Sequence, residues 1–155
     1  MLQKKQHGFT LIEVLLVIGI IAMLAAIVII AINPARQFAQ TRNTQRWSNV
    51  NAILNGIHQN MADNRGVWTC DVDGDDVNDA LPSSATNMGS AVGDYDICAC
   101  LVPTYIAEMP YDPETGSFTD CDTAYDTDYT VFQSTGGRVT VEATGELSQI
   151  IKVTR

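Results

Sequence analysis

The sequence predicts an α+β chain. A long N-terminal helix, membrane-spanning in its first half and amphipathic in its second, packs on a small antiparallel β-sheet within a disulfide-stapled, loop-rich head. Three observations predict this. An unbroken apolar run occupies Val14 to Ile32. Apolar residues at helical spacing follow it. The last quarter alternates with period two, and all four cysteines lie between residues 70 and 121. The predicted organisation is a leader over 1–8, a hydrophobic helix over 9–32, an amphipathic helix over 33–65 and an acidic head over 66–155. Within the head, loops are expected over 66–128 and the sheet over 129–155.

The first helix follows from length and polarity. The nineteen residues Val14–Ile32 carry no charged or polar side chain. At about 1.5 Å per residue they extend roughly 28 Å, close to the hydrocarbon thickness of a bilayer. A secretory signal peptide usually has a shorter apolar core, so a membrane anchor is the stronger reading. Lys4 and Lys5 ahead of the run place the N-terminus in the cytoplasm and the head outside. Glu13 interrupts this apolar setting. A carboxylate there is costly and needs a partner.

Asn33-Pro34 breaks the run. Either Asn33 caps a second helix with Pro34 at its first position, or one helix continues with a kink. Beyond it, Trp47, Val50, Ile53, Leu54, Ile57 and Met61 recur at helical spacing. Arg42, Arg46, Asn49 and Asn60 fall largely between them. The helix is expected to stop near Asn64-Arg65-Gly66, with Gly66 in a left-handed cap. His58 stands among polar neighbours and reads as a surface residue.

Charge divides the chain. The overall net charge is -9. Residues 33–65 carry Arg36, Arg42, Arg46 and Arg65 against Asp63, a net +3, whereas residues 66–155 carry sixteen acids against Arg138, Lys152 and Arg155, a net -13. That head repels phosphate, which argues against nucleic-acid binding through its surface. The alternative partner for clustered carboxylates is a divalent cation, with a solvated acidic loop as the competing reading. Asp71, Asp73, Asp75 and Asp79 in the run Asp71–Asp79 are candidate calcium ligands, with Gly74 permitting the turn. The run is no EF-hand, because Asp76 and Pro82 stand at the positions of the required Gly and Glu.

Long irregular stretches in a small domain need staples. Cys98 and Cys100 are too close to pair with each other. Two frameworks remain: Cys70–Cys98 with Cys100–Cys121, or Cys70–Cys100 with Cys98–Cys121. A four-thiolate zinc site is the competing reading, with poor spacing. Tyr129–Gln133, the turn Ser134–Gly137 and the alternating Arg138–Ala143 read as a hairpin, and Leu147–Val153 as a third strand.

Gly8-Phe9-Thr10-Leu11-Ile12-Glu13, set between a short basic leader and the apolar run, resembles the processing signature of type IV prepilins and type II secretion pseudopilins. Tyr105–Pro113, ahead of Gly116, resembles more loosely the proline-bounded loop before the sheet in these proteins. The resemblance implies cleavage between Gly8 and Phe9 by a prepilin peptidase and N-methylation of Phe9. It also implies an inner-membrane assembly platform and a helical homopolymer exported from the membrane to the periplasm or cell surface. Loosening of the helix near Pro34 on assembly would fit it. In such a polymer the Glu13 carboxylate meets the Phe9 ammonium of a neighbour, so each buried charge has its partner. Adhesion, motility and secretion are the roles such filaments serve. A monomeric, membrane-anchored calcium-binding module is the alternative of another class. An enzyme is not expected: the head has no histidine and no recognisable nucleophile or metal-protease motif.

Overall fold

The computed structural model describes residues 8–72, 74–75 and 77–155. The chain divides into two compact units between Phe38 and Ala39. In the first unit, helix α1 spans Leu11–Ile32 and buries no residue. Asn33 ends it in the left-handed region, at φ 48°. The same residue starts helix α2, Pro34–Asp63, because its Oδ1 accepts the Arg36 N–H at 3.4 Å. Of the two expected arrangements at Asn33-Pro34, the capped second helix is the one observed.

The second unit begins at Ala39 and holds one core. Val50, Ile53, Leu54 and Ile57 of α2 are fully buried. They cluster with Tyr129, Val131, Val139, Val141, Ala143 and Ile151 from one face of the sheet. Each such side chain contributes about 1.5–3 kcal/mol by leaving water. The helix ends where expected, with both Arg65 (φ 60°) and Gly66 (φ 89°) left-handed and the Gly66 N–H bonded to the Met61 carbonyl at 2.7 Å.

The buried stripe of α2 differs from the predicted one. Trp47 is 41% exposed, whereas Ala39, Asn43, Arg46 and Asn60 are buried. The inward line steps by three or four residues through 39, 43, 46, 50, 53, 57 and 60, so its first half is polar. Following apolar residues alone selects Trp47 where the geometry places Arg46.

The segment expected to be loops is mostly irregular but carries short elements. Strand β1 is Thr86–Gly89, a short helix α3 is Cys98–Leu101 and β2 is Ser117–Asp120. Strand β3 runs over Ala124–Gln133, five residues earlier than predicted. Thr-Asn-Met-Gly and Ser-Phe-Thr-Asp carry no alternating apolar signal. They become strands because β3 offers them a backbone edge. Strands β4 (Val139–Thr144) and β5 (Ile150–Thr154) complete the antiparallel order β1-β3-β4-β5, with β2 paired to the first half of β3. Val139, Val141 and Ala143 all face the core, as the alternation requires. The last strand starts at Ile150 rather than Leu147, because Leu147 and Ser148 are left-handed (φ 57° and 60°) and belong to the turn.

Candidate assembly site and the clasp that holds the head

Helix α1 starts on a capping box. The Thr10 hydroxyl accepts the Glu13 N–H at 3.3 Å, and Glu13 Oε2 accepts the Thr10 N–H at 3.5 Å. Thr10-Leu11-Ile12-Glu13 is the sequence signature of this device. Glu13 therefore has a partner within its own chain. The box fixes the carboxylate at the amide next to Phe9 and satisfies helix N–H groups that hydrocarbon would leave bare. Phe9, Leu11, Ile12 and Val14 around it are exposed. Over Leu11–Ile32 the helix is long and apolar enough to cross a membrane. Gly8 and Phe9, the predicted cleavage and methylation residues, stand just ahead of the box. The leader residues 1–7 lie outside the described residues.

The head is held to α2 by a charged clasp. Arg46, 3% exposed, donates from Nε and Nη2 to the two oxygens of Asp112 at 2.5 and 3.0 Å. Its Nη1 donates to Glu146 at 2.8 Å and to Asn43 Oδ1 at 3.0 Å. Arg42 adds a second bidentate contact to Glu146, with Nε at 2.6 Å from Oε1 and Nη2 on Oε2. Asn43 closes the clasp by donating to the Glu146 carbonyl and Gln149 Oε1, both at 2.9 Å, and accepting the Glu146 N–H at 2.8 Å. Asp112 sits in the proline-bounded loop and Glu146 in the β4–β5 turn, so one helix face ties down both.

The electrostatics follow from these contacts. Burial pushes the Asp112 carboxyl up, but the Arg46 guanidinium and the N–H groups of Glu114 and Thr115 outweigh it and hold it below the usual range. The hydrogen bonds from Arg42 and then Arg46 bring Glu146 down to about 2. Burial lowers the His58 pKa, as does Arg155 nearby, and the side chain is half-buried rather than fully at the surface. Gly116 is required beside the clasp: a Cβ there would lie 2.5 Å from the Asp112 nitrogen and 3.0 Å from the Thr127 carbonyl oxygen.

The cysteines pair as Cys70–Cys100 and Cys98–Cys121, with Cα separations of 5.4 and 5.3 Å. This selects one of the two frameworks and uses the sulfurs that a zinc site would need. Tyr125 positions the crossing point. Its hydroxyl accepts from the Ile97 and Cys98 N–H groups at 2.9 and 3.2 Å and donates to Asp96 at 2.8 Å.

The candidate calcium ligands serve their own loop. Asp71 Oδ1 accepts from the N–H groups of Gly74 and Asp75 at 2.8 and 3.2 Å. Asp75 Oδ1 accepts the Val77 N–H at 2.8 Å, and Asp79 Oδ2 the Val72 N–H at 2.9 Å. Asp73 lies outside the described residues. Among the described residues no three acids, histidines or cysteines gather as a cation site.

A model of the prokaryotic N-terminal methylation motif matches residues 3–32, which contain Gly8, Phe9, the capping box and nearly all of α1. An apolar helix without intrachain cover, headed by this motif, defines a membrane-anchored precursor. The match spans the N-terminal fifth of the chain and supports a prepilin of the type IV pilin or pseudopilin type. No curated protein and no solved structure matches it.

Proposed function

We propose that this chain is the structural subunit of a type IV pilus-like filament. A prepilin peptidase cleaves between Gly8 and Phe9, Phe9 is N-methylated, and the mature subunits leave the membrane and polymerise through α1. The observation that carries this reading is the coincidence of the methylation motif with a helix that buries none of its own residues and holds one acid, Glu13. Such a helix needs cover from lipid first and from copies of itself afterwards. In this reading Glu13 receives the Phe9 ammonium of a neighbouring subunit, which would otherwise stand uncompensated in an apolar filament core.

The test is mass spectrometry of subunits from sheared surface filaments, with electron microscopy of the same preparation. A mature N-terminus at methylated Phe9 in helical filaments is expected. Glu13→Val is expected to leave cleavage intact and abolish filaments. Native protein that retains residues 1–8 and stays dispersed in the membrane would overturn the proposal, and normal filaments from Glu13→Val would remove the charge pairing.

A further inference from the structure

The head carries a receptor and a knob that cannot meet within one chain. The receptor is an open cleft of about 450 Å³ between α2 and the proline-bounded loop. Its wall is Met109, Pro110, Tyr111 and Pro113, and its polar groups are Gln45, Asn49 and Glu108. The Asn49 amide nitrogen is fixed by the Tyr111 carbonyl at 2.9 Å and the Tyr129 hydroxyl at 3.0 Å, which leaves its oxygen as an acceptor. Glu108 is the one carboxylate among the described residues lining the cleft. A mainly polar cleft with a carboxylate, amide oxygens and a tyrosine beside prolines suits a guanidinium, which is planar, stacks on tyrosine and only donates.

The knob is Arg138, exposed at the tip of the β3–β4 hairpin. The tip is tied: the Ser134 N–H bonds the Arg138 carbonyl and the Gly137 N–H bonds the Ser134 carbonyl, both at 2.9 Å. Among the described residues the ion pairs engage Arg42, Arg46 and Lys152 with Asp112, Glu114, Glu142 and Glu146. Neither Arg138 nor Glu108 takes part in one, in a head with a net charge of -13. The cleft opens where Asp112 bonds Thr127, and the tip lies past Gln133 at the other end of β3. Six strand residues separate these levels by about 20 Å, more than an arginine side chain spans.

We propose that Arg138 of one subunit docks in the Glu108 cleft of a second copy. Made in one direction only, as the filament reading requires, the contact is heterologous and propagates as an open helical array; made reciprocally it would close a dimer. It rests on the filament reading and names a head-to-head contact within it. Charge complementarity calls for a cation, and among the arginines outside these ion pairs Arg138 of a second copy stands exposed on a braced tip, whereas Arg155 is held by Asn51 and Asn55.

The experiment uses the full chain in its own cell. Filament yield after shearing is measured for E108R, R138E and the double variant, together with processed subunit in the membrane. Each single reversal is expected to lower yield about fivefold or more at unchanged subunit level, the scale of one charged contact. The double variant is expected to recover most of the loss. Normal yield from both single variants, or a double variant no better than the worse single, overturns the proposal. So does loss with R65E alongside normal R138E, which would make Arg65 the occupant. Should reversal reduce subunit level, E108Q and R138Q are read the same way. Failure of the filament reading is separate, since wild type would then give no filaments.

Discussion

Changing Asp112 to asparagine keeps its size and removes its charge. In the folded head, Asp112 and Arg46 side chains are each 3% exposed and joined by two hydrogen bonds. Asp112→Asn leaves the Arg46 guanidinium buried with Glu146 at 2.8 Å and the more exposed Glu114 at 3.6 Å as its remaining carboxylates. Stranding one member of a buried pair costs about 3–5 kcal/mol, and the retained Glu146 contact sets the expectation near the lower end, about 3 kcal/mol. Arg46→Met strands Asp112 instead, against two backbone N–H groups, at 2.9 and 3.2 Å, that hold its charge. Its cost is expected to be at least as large. In the double variant no charge is stranded, so the two costs do not add, and a coupling of about 2 kcal/mol is expected. The assay is urea unfolding of the purified chain in detergent with disulfides intact, followed through the fluorescence of buried Trp68. Single variants costing under about 1 kcal/mol, or strictly additive costs, would refute the view that this pair is desolvated and mutually dependent.

Three further outcomes follow from the same contacts. Asp112 and Glu146 both have depressed folded pKa values, Glu146 at about 2 against an ordinary 4.5. Their contribution is present above the unfolded pKa and lost as pH falls through the folded one. Stability should therefore drop between about pH 4.5 and 2, with a shallower drop in Glu146→Gln, by acid titration of the unfolding midpoint. Reduction opens loops with sequence separations of 30 and 23 residues. Each staple is worth roughly 3–4 kcal/mol by loop-closure entropy, so dithiothreitol should lower the melting temperature, most at low salt where the acids of 71–79, 94–96 and 120–128 repel. Gly116→Ala should cost about 1–3 kcal/mol in chemical denaturation, because its Cβ meets backbone atoms that cannot rotate away.

Local patterns were readable wherever the physics is short-ranged. The nineteen-residue apolar run, the Asn33-Pro34 junction, the left-handed stop at Gly66 and the inward row Val139, Val141 and Ala143 each depend on neighbours a few residues apart. The Tyr125–Tyr129 part of β3 carries the same alternation, Tyr125, Thr127 and Tyr129 against Asp126 and Asp128, but was expected to be loop. The acids obscured it. Thr10 was legible through the spacing of its capping box.

By itself, then, the sequence determined the anchor, its processing signature and the order of helix before sheet, because periodicity and polarity act along the chain. The tertiary structure alone decided the rest. Two cysteine frameworks were equivalent until folding brought Cys70 to Cys100 and Cys98 to Cys121. In sequence Arg46 falls between the apolar positions of the helix, and only Asp112 and Glu146, 66 and 100 positions away, supply the charges that allow its burial. Strands β1 and β2 exist because β3 lies beside them. Such outcomes depend on partners distant in sequence, and a desolvated charge or an unpaired backbone edge is stable only once those partners arrive.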